Sequence, residues 1–230
     1  ADQRIGSFKE KTVIPCPRIG VNATWACSWS CCHCFYVRNP NLHKQIHRPF
    51  SELKYEIDLG KSRGFDHVVL IGYGEPMLYP EVAELIAYCT SIGMASSIIT
   101  NGMAPIGQYA ALFDLGLDHL HISTHGIGDA MEAITGSKTA DARQCELKGW
   151  LLENGYPYRV NVTLKRLNYN LLSEIAKREI DFGCRHFVFL GMLPHYEWAG
   201  HVQEVAMPYA ELRPEIEKAV RPGFENKMIA

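Results

Sequence analysis

Four cysteines crowd into Cys27-Ser-Trp-Ser-Cys31-Cys32-His33-Cys34, and three of them, Cys27, Cys31 and Cys34, stand at C-x3-C-x2-C spacing. Thiolates this close together can grip one face of a cubic iron–sulfur cluster, whose irons lie a few bonds apart. A [4Fe–4S] cluster ordinarily takes four cysteines. Three therefore leave one iron for an outside ligand, by the logic that leaves an open position on a catalytic metal. Cys32, adjacent to Cys31, points elsewhere and reads as a non-ligand. The alternative is a structural zinc site with His33 or Cys16 as fourth ligand, or a set of redox thiols. Zinc sites usually pair one closely spaced ligand couple with a second, distant one. No second couple is evident, and Cys16 lies between Pro15 and Pro17 without a partner at ligand spacing.

Downstream, Gly72-Tyr73-Gly74-Glu75-Pro76 follows a β-branched run. Taken alone it is a tight turn whose glycines supply positive φ. Taken as a site, its inward carbonyls and carboxylate suit a cation. The two motifs together resemble those of the radical S-adenosylmethionine (radical SAM) enzymes. Tyr73 stands where that family commonly has Gly, and His33 where it most often has an aromatic residue. The resemblance runs from about Ile19 to Gly191.

That resemblance implies a [4Fe–4S] cluster on Cys27, Cys31 and Cys34, with S-adenosyl-L-methionine as the outside ligand. Gly74, Glu75 and Pro76 would receive the ammonium of its methionine moiety, and Asn101 would reach the same end. Ser123 would meet the ribose hydroxyls and Arg143 the carboxylate. Val162 and Gly191-Met192 would hold adenine through backbone groups and apolar contact. Two of these have plain readings beside them: Ser123 as a strand-end hydroxyl capping its own backbone, and Arg143 as an exposed helix arginine. The implied reaction is reductive cleavage of S-adenosylmethionine by an electron from a flavodoxin- or ferredoxin-type donor. The resulting 5′-deoxyadenosyl radical would take hydrogen from a substrate, which explains why no acid–base dyad shows. Many peptide-modifying members carry a cysteine-rich C-terminal extension, and no cysteine follows Cys184 here. The extension is thus expected to be absent or cut away, the natural protein to be longer if it was cut, and a small molecule is favoured over a peptide as substrate. A non-catalytic iron–sulfur or zinc protein on the same scaffold is the competing class. A methyltransferase acting by polar transfer finds no G-x-G-x-x-G loop after the first strand.

The bulk numbers fit a soluble globular chain: 230 residues, 47% hydrophobic and 21% charged. A formal net charge of −2 without a run of Lys or Arg gives no argument for nucleic acid or a membrane surface. No apolar run approaches the roughly 20 residues of a membrane span, and no signal-peptide pattern is present. Besides the motif, Cys16, Cys89, Cys145 and Cys184 are scattered singly, which suits a reducing, cytoplasmic setting better than a disulfide framework.

Elements must hold these loops on one rim. Strands are expected at Ile19–Thr24, Asp66–Ile71, Ala95–Thr100, His119–Thr124, Tyr158–Leu164 and His186–Leu190. Helices are expected at Phe50–Arg63 with Ser51 as cap, Pro80–Ile92 with Pro at its first position, Ile106–Leu115, Asp141–Glu153, Leu171–Ile180 and Tyr209–Val220. The alternation implies βαβ units around a parallel sheet. With the resemblance it implies an α/β fold, a partial, open (β/α)6 TIM-like barrel over residues 19–192, with an N-terminal arm over 1–18 and a C-terminal extension over 193–230. Such barrels carry function on the loops after their strands. The cysteines, Glu75, Asn101 and Ser123-Thr124-His125 would share that rim. His119 and His121 share a strand face and read as barrel wall; His125, His195, Tyr196 and Glu197 are candidates for substrate contact.

Overall fold

The computed structural model describes residues 18–34, 46–192 and 205–225. The expectations on the N-terminal arm, Cys16, and the segment with His195, Tyr196 and Glu197 lie outside the described residues. Six strands, β1 (Arg18–Asn22), β2 (His67–Ile71), β3 (Ala95–Thr100), β4 (His119–Ser123), β5 (Tyr158–Thr163) and β6 (Phe187–Leu190), form one sheet in sequence order. Every neighbouring pair is parallel. The helices are α1 (Phe50–Ser62), α2 (Val82–Ser91), α3 (Ile106–Asp114), α4 (Asp129–Thr135), α5 (Ala140–Asn154), α6 (Leu172–Asp181) and α7 (Tyr209–Glu225). Since among the described residues β1 and β6 pair with no further strand, the curled sheet is an open, partial barrel.

Alternation along the strands divides the sheet into two chemistries. Val21, Val68, Leu70, Ile98, Leu120, Ile122, Val160 and Val162 pack with helix residues such as Leu53, Ile57, Leu85, Leu147, Leu151 and Ile175 in one core. The intervening positions line the concave face. In β3–β5 that face is largely polar: Ser97 stands level with His119, His121 with Arg159, and Ser123 with Asn161. The apolar layer stabilises the fold, and the polar one leaves the barrel interior for ligands.

Several boundaries differ from the sequence expectation. The first strand stops at Asn22 because Thr24 turns away to bridge His47. Ser51 does not cap α1; Pro49 precedes it, with no side-chain cap. α2 begins at Val82 rather than Pro80, because Tyr79 and Glu81 first close a turn through the Tyr79 hydroxyl. α7 runs through Pro222-Gly223 to Glu225, past the expected end at Val220. α4 was not expected at all: its 7 residues are too few for a helical period to declare itself.

Candidate active site

The cysteine loop follows β1 and is held from both sides. Trp25 N donates to Ile46 O (2.8 Å) and Arg48 N to Ala23 O (3.0 Å). The Arg48 guanidinium reaches Asn22 O (3.2 Å) and the Glu56 carboxylate (2.7 Å), which ties the loop to α1. On the far side, Ser30 N donates to Thr135 O and Cys32 N to Ile134 O, both 2.9 Å, so the loop rests on the end of α4. Trp29 and Cys31 are buried with Met131 and Ala140, and Cys34 packs at the edge of that cluster. The Cys27 sulfur accepts from Trp29 N at 3.4 Å. Burial pushes the Cys27 thiol up to about 11, with the Glu75 and Cys34 charges adding to the rise, and the Cys31 thiol higher still, with Cys34 and Cys27 adding to it.

The Gly72–Pro76 loop is docked directly onto the cysteine loop. Glu75 N donates to Ala26 O at 2.7 Å. A Cβ on Gly74 would come within 2.3 Å of Ala26 O, and one on Gly72 within 1.8 Å of Gly74 O. Neither glycine has positive φ, so close backbone approach, not a left-handed turn, is what excludes a side chain here. Pro76 opens a single turn of 3-10 helix, Pro76–Leu78. The Glu75 carboxylate is 4% exposed. It accepts from Met77 N (3.1 Å), Thr100 Oγ1 (2.8 Å) and Asn101 N (2.6 Å), bracing the β2 loop against the end of β3. Burial raises it to about 7 against the pull of those donors. Asn101 Nδ2 donates to Ser28 Oγ at 3.1 Å and so links β3 to the residue after Cys27. Between the three loops lies a cavity of about 210 Å³, with Ser28, Glu75, Met77, Asn101, Met103 and Gln108 on its walls.

The remaining expected residues divide. Ser123 ends β4 level with Asn161, and its carbonyl accepts from Gln144 Nε2 at 3.0 Å. Its hydroxyl makes no hydrogen bond among the described residues, so it does not cap its own backbone. Met192 is half-buried just past β6. The Val162 side chain is fully buried in the core between sheet and helices, which leaves only its backbone for a ligand; the concave positions of β5 are Arg159, Asn161 and Thr163. Arg143 lies on the surface of α5 and pairs with Glu146 at 3.0 Å. It remains near enough to act on the Tyr109 hydroxyl beneath Thr100.

Other residues shape the rim without having announced themselves. Gln144, one position beyond Arg143, is fully buried and donates to both Asn101 O and Ser123 O. His125 stands edge-on to His33 at 4.6 Å and near Trp29 at 6.3 Å. Asn168 Nδ2 donates to His125 O and Thr163 O, and the buried Lys165 Nζ also donates to Thr163 O. Burial holds Lys165 down to about 8, while Cys32 and Cys31 oppose that fall. Burial and Lys165 hold His33 at about 3. The position of Lys165 right after β5 was a usable signal; nothing in the sequence marked Gln144 or Asn168.

The family model described as the radical SAM superfamily matches residues 21–178, from within β1 through most of α6. The chain belongs to the radical SAM superfamily. A PqqA peptide cyclase of Methylorubrum extorquens (strain PA1) is 29% identical over 205 residues, 85% of this chain and 51% of that protein. SuiB of Streptococcus suis, solved bound to precursor peptide SuiA, superposes with TM-score 0.77 at 18% identity, over 99% of this chain and 51% of that one. SuiB bound to S-adenosylmethionine gives TM-score 0.76 at 16% identity, over 98% and 52%. At such identities the solved structures establish the fold. The chain spans about half the length of the curated relatives it matches.

Membership in the radical SAM superfamily implies a [4Fe–4S] cluster and S-adenosylmethionine, and the residues present fit both. Cys27 and Cys31 are both burdened by desolvation, and each by the charge of the neighbouring Cys34. A polycationic iron core relieves that burden, as metals do for coordinating thiols. Among the described residues, no three Cys, His, Asp or Glu side chains converge as a single metal ion requires. His33, offered above as a fourth zinc ligand, packs on His125 instead. A cubic cluster asks each thiol for a different corner.

Proposed function

We propose that this chain is the barrel half of a radical SAM enzyme that modifies a peptide. The observation that carries it is the placement of Cys27, the first of the three cysteines, against Glu75 and Asn101, which with Ser28 wall the cavity. In this reading the three thiolates hold the cluster, with residues 19–192 as its barrel. Gly74, Glu75, Pro76, Asn101 and Ser123 surround S-adenosylmethionine, with Met192, the Val162 backbone and Arg143 at its edges. Bound together, cluster and cofactor supply one-electron cleavage to a 5′-deoxyadenosyl radical able to take hydrogen from an unactivated C–H bond. The chain's own part is to position and to exclude water. Glu75 and Gln144 fix the relative height of the β2, β3 and β4 loops. Trp29 and Met131 close the apolar side of the cysteine basin.

A peptide substrate is supported by the names of the relatives, a PqqA peptide cyclase and SuiB with its precursor peptide. The preference for a small molecule rested on cysteines missing after Cys184, and that argument lapses when the relatives run about twice this length. An electron donor of flavodoxin or ferredoxin type and a reducing cytoplasmic setting complete the reading. The test is anaerobic: reconstitute with iron and sulfide, reduce with dithionite, add S-adenosylmethionine, and assay 5′-deoxyadenosine by chromatography. Iron uptake and product are expected, both lost in Cys31→Ala and both kept in Cys145→Ala, whose cysteine lies on α5. A chain that takes zinc and no iron overturns the reading.

A further inference from the structure

The barrel interior has a second polar centre at the opposite end from the cysteines. There a cavity of about 420 Å³ opens at the starts of β4, β5 and β6, lined by Arg18, His119, Tyr158, Arg159, His186 and Phe187. The register puts Arg18 level with His67, and His121 level with Arg159, so the basic side chains ring one space. Among the described residues neither Arg18 nor Arg159 forms an ion pair, and Arg159 Nε is buried with no partner. His121 is fully buried; its Nε2 meets His119 Nε2 at 2.7 Å and its Nδ1 meets nothing. His67 is taken up by Ser97 Oγ at 2.8 Å. Of the carboxylates nearby, Asp118 accepts from Ser96 N at 2.7 Å and tempers His67 and His119, and Asp66 tempers His67. Burial and the Arg18 charge together depress Arg159. Arg18 is exposed to solvent, whereas Arg159 is half-buried with its Nε unpartnered, a desolvated charge that a bound anion would answer.

We propose that this cavity is an oxyanion site that takes a carboxylate or phosphate group between Arg18 and Arg159, with the ligand's body against Val188 and Pro157. The guanidinium fork matches both oxyanions bidentately, and the two arginines come from β1 and β5, on opposite sides of the open barrel. Such a ligand would bridge strands that share no hydrogen bonds. The site is separate from the cysteine rim, since a five-residue strand sets the two ends roughly 15 Å apart.

Inorganic phosphate and benzoate serve as probes, each titrated calorimetrically into the full chain at pH 7 and constant ionic strength. At least one is expected to bind at a single site. Arg159→Gln and Arg18→Gln should each weaken it about tenfold or more. Arg213→Gln, an exposed α7 arginine paired with Glu217, should leave it unchanged. Preference for phosphate identifies a phosphorylated ligand, and preference for benzoate a carboxylate on an apolar body. Should Arg159→Gln fail to fold, the exposed Arg18 decides alone. No binding of either probe, or binding indifferent to Arg18, overturns the site.

Discussion

At the Glu75 carboxylate, all three recorded hydrogen-bond donors belong to the chain itself: Met77 N, Thr100 Oγ1 and Asn101 N. An amide in its place can accept at one atom only, so Glu75→Gln leaves at least one buried N–H without a partner, at a cost of about 1–3 kcal/mol. The folded carboxyl is raised from 4.5 to about 7. Between those values the folded chain holds a proton that the unfolded chain has lost, so this group's contribution to stability falls as pH rises through the window, by about 3 kcal/mol in all. Urea unfolding of wild type and Glu75→Gln should therefore show a larger penalty at pH 5 than at pH 8; equal penalties would disprove the raised carboxyl. At this scale the sequence was legible where chemistry is confined to short spacing, as for Cys27, Cys31 and Cys34. It was illegible where a role is created by folding. Arg143 drew attention by its charge, yet its neighbour Gln144 turns inward to carbonyls 43 and 21 residues away in the chain.

α5 is the element that sets the height of the rim. Gln144 joins it to the ends of β3 and β4, and one turn later Lys148 Nζ donates to Thr124 Oγ1 (2.9 Å) and to Glu179 Oε1 (2.7 Å) on α6. Both members of that ion pair are fully buried. Removing Lys148 leaves the buried Glu179 with only the longer Arg178 contact (3.5 Å), whereas replacing both with apolar groups leaves no buried charge of the pair behind. Lys148→Met is accordingly expected to cost about 3–5 kcal/mol and to lower iron retention, since Ser123 and Asn101 lose their support. Lys148→Met combined with Glu179→Leu should recover much of the loss. A double variant no better than the single one would mean that Thr124 and Gln144, not the ion pair, carry the contact. None of this was readable as pattern: Lys148 and Glu179 look like ordinary surface charges of two amphipathic helices. The strands were readable because β-branched runs such as His67–Ile71 leave few alternatives, and α4 escaped because 7 residues do not establish a period.

The molecule as a whole stores imidazoles in neutral form inside an open barrel, and that sets its response to acid. His33, His121 and His125 are each held below 6.5, burial being the largest cause in every case. A histidine with a depressed folded pKa contributes stability that is present above its unfolded value and lost as pH falls below it, because the unfolded chain takes up the proton first. Glu75 works the other way in the overlapping window from 4.5 to about 7. His67 and His119 are depressed by burial as well, so the histidines outnumber the one carboxylate, and each surplus proton on the unfolded chain is worth about 1.4 kcal/mol per pH unit below 6.5. Against a total stability of about 5–15 kcal/mol, such a slope removes a large share of the stability over two or three pH units. Urea titrations of the cluster-free chain from pH 7 down to pH 5 should give that steepening slope. His121→Gln removes one titrating group and should flatten the slope by about 1.4 kcal/mol per pH unit. A stability that rose on acidification would show instead that the Glu75 carboxyl outweighs the buried imidazoles.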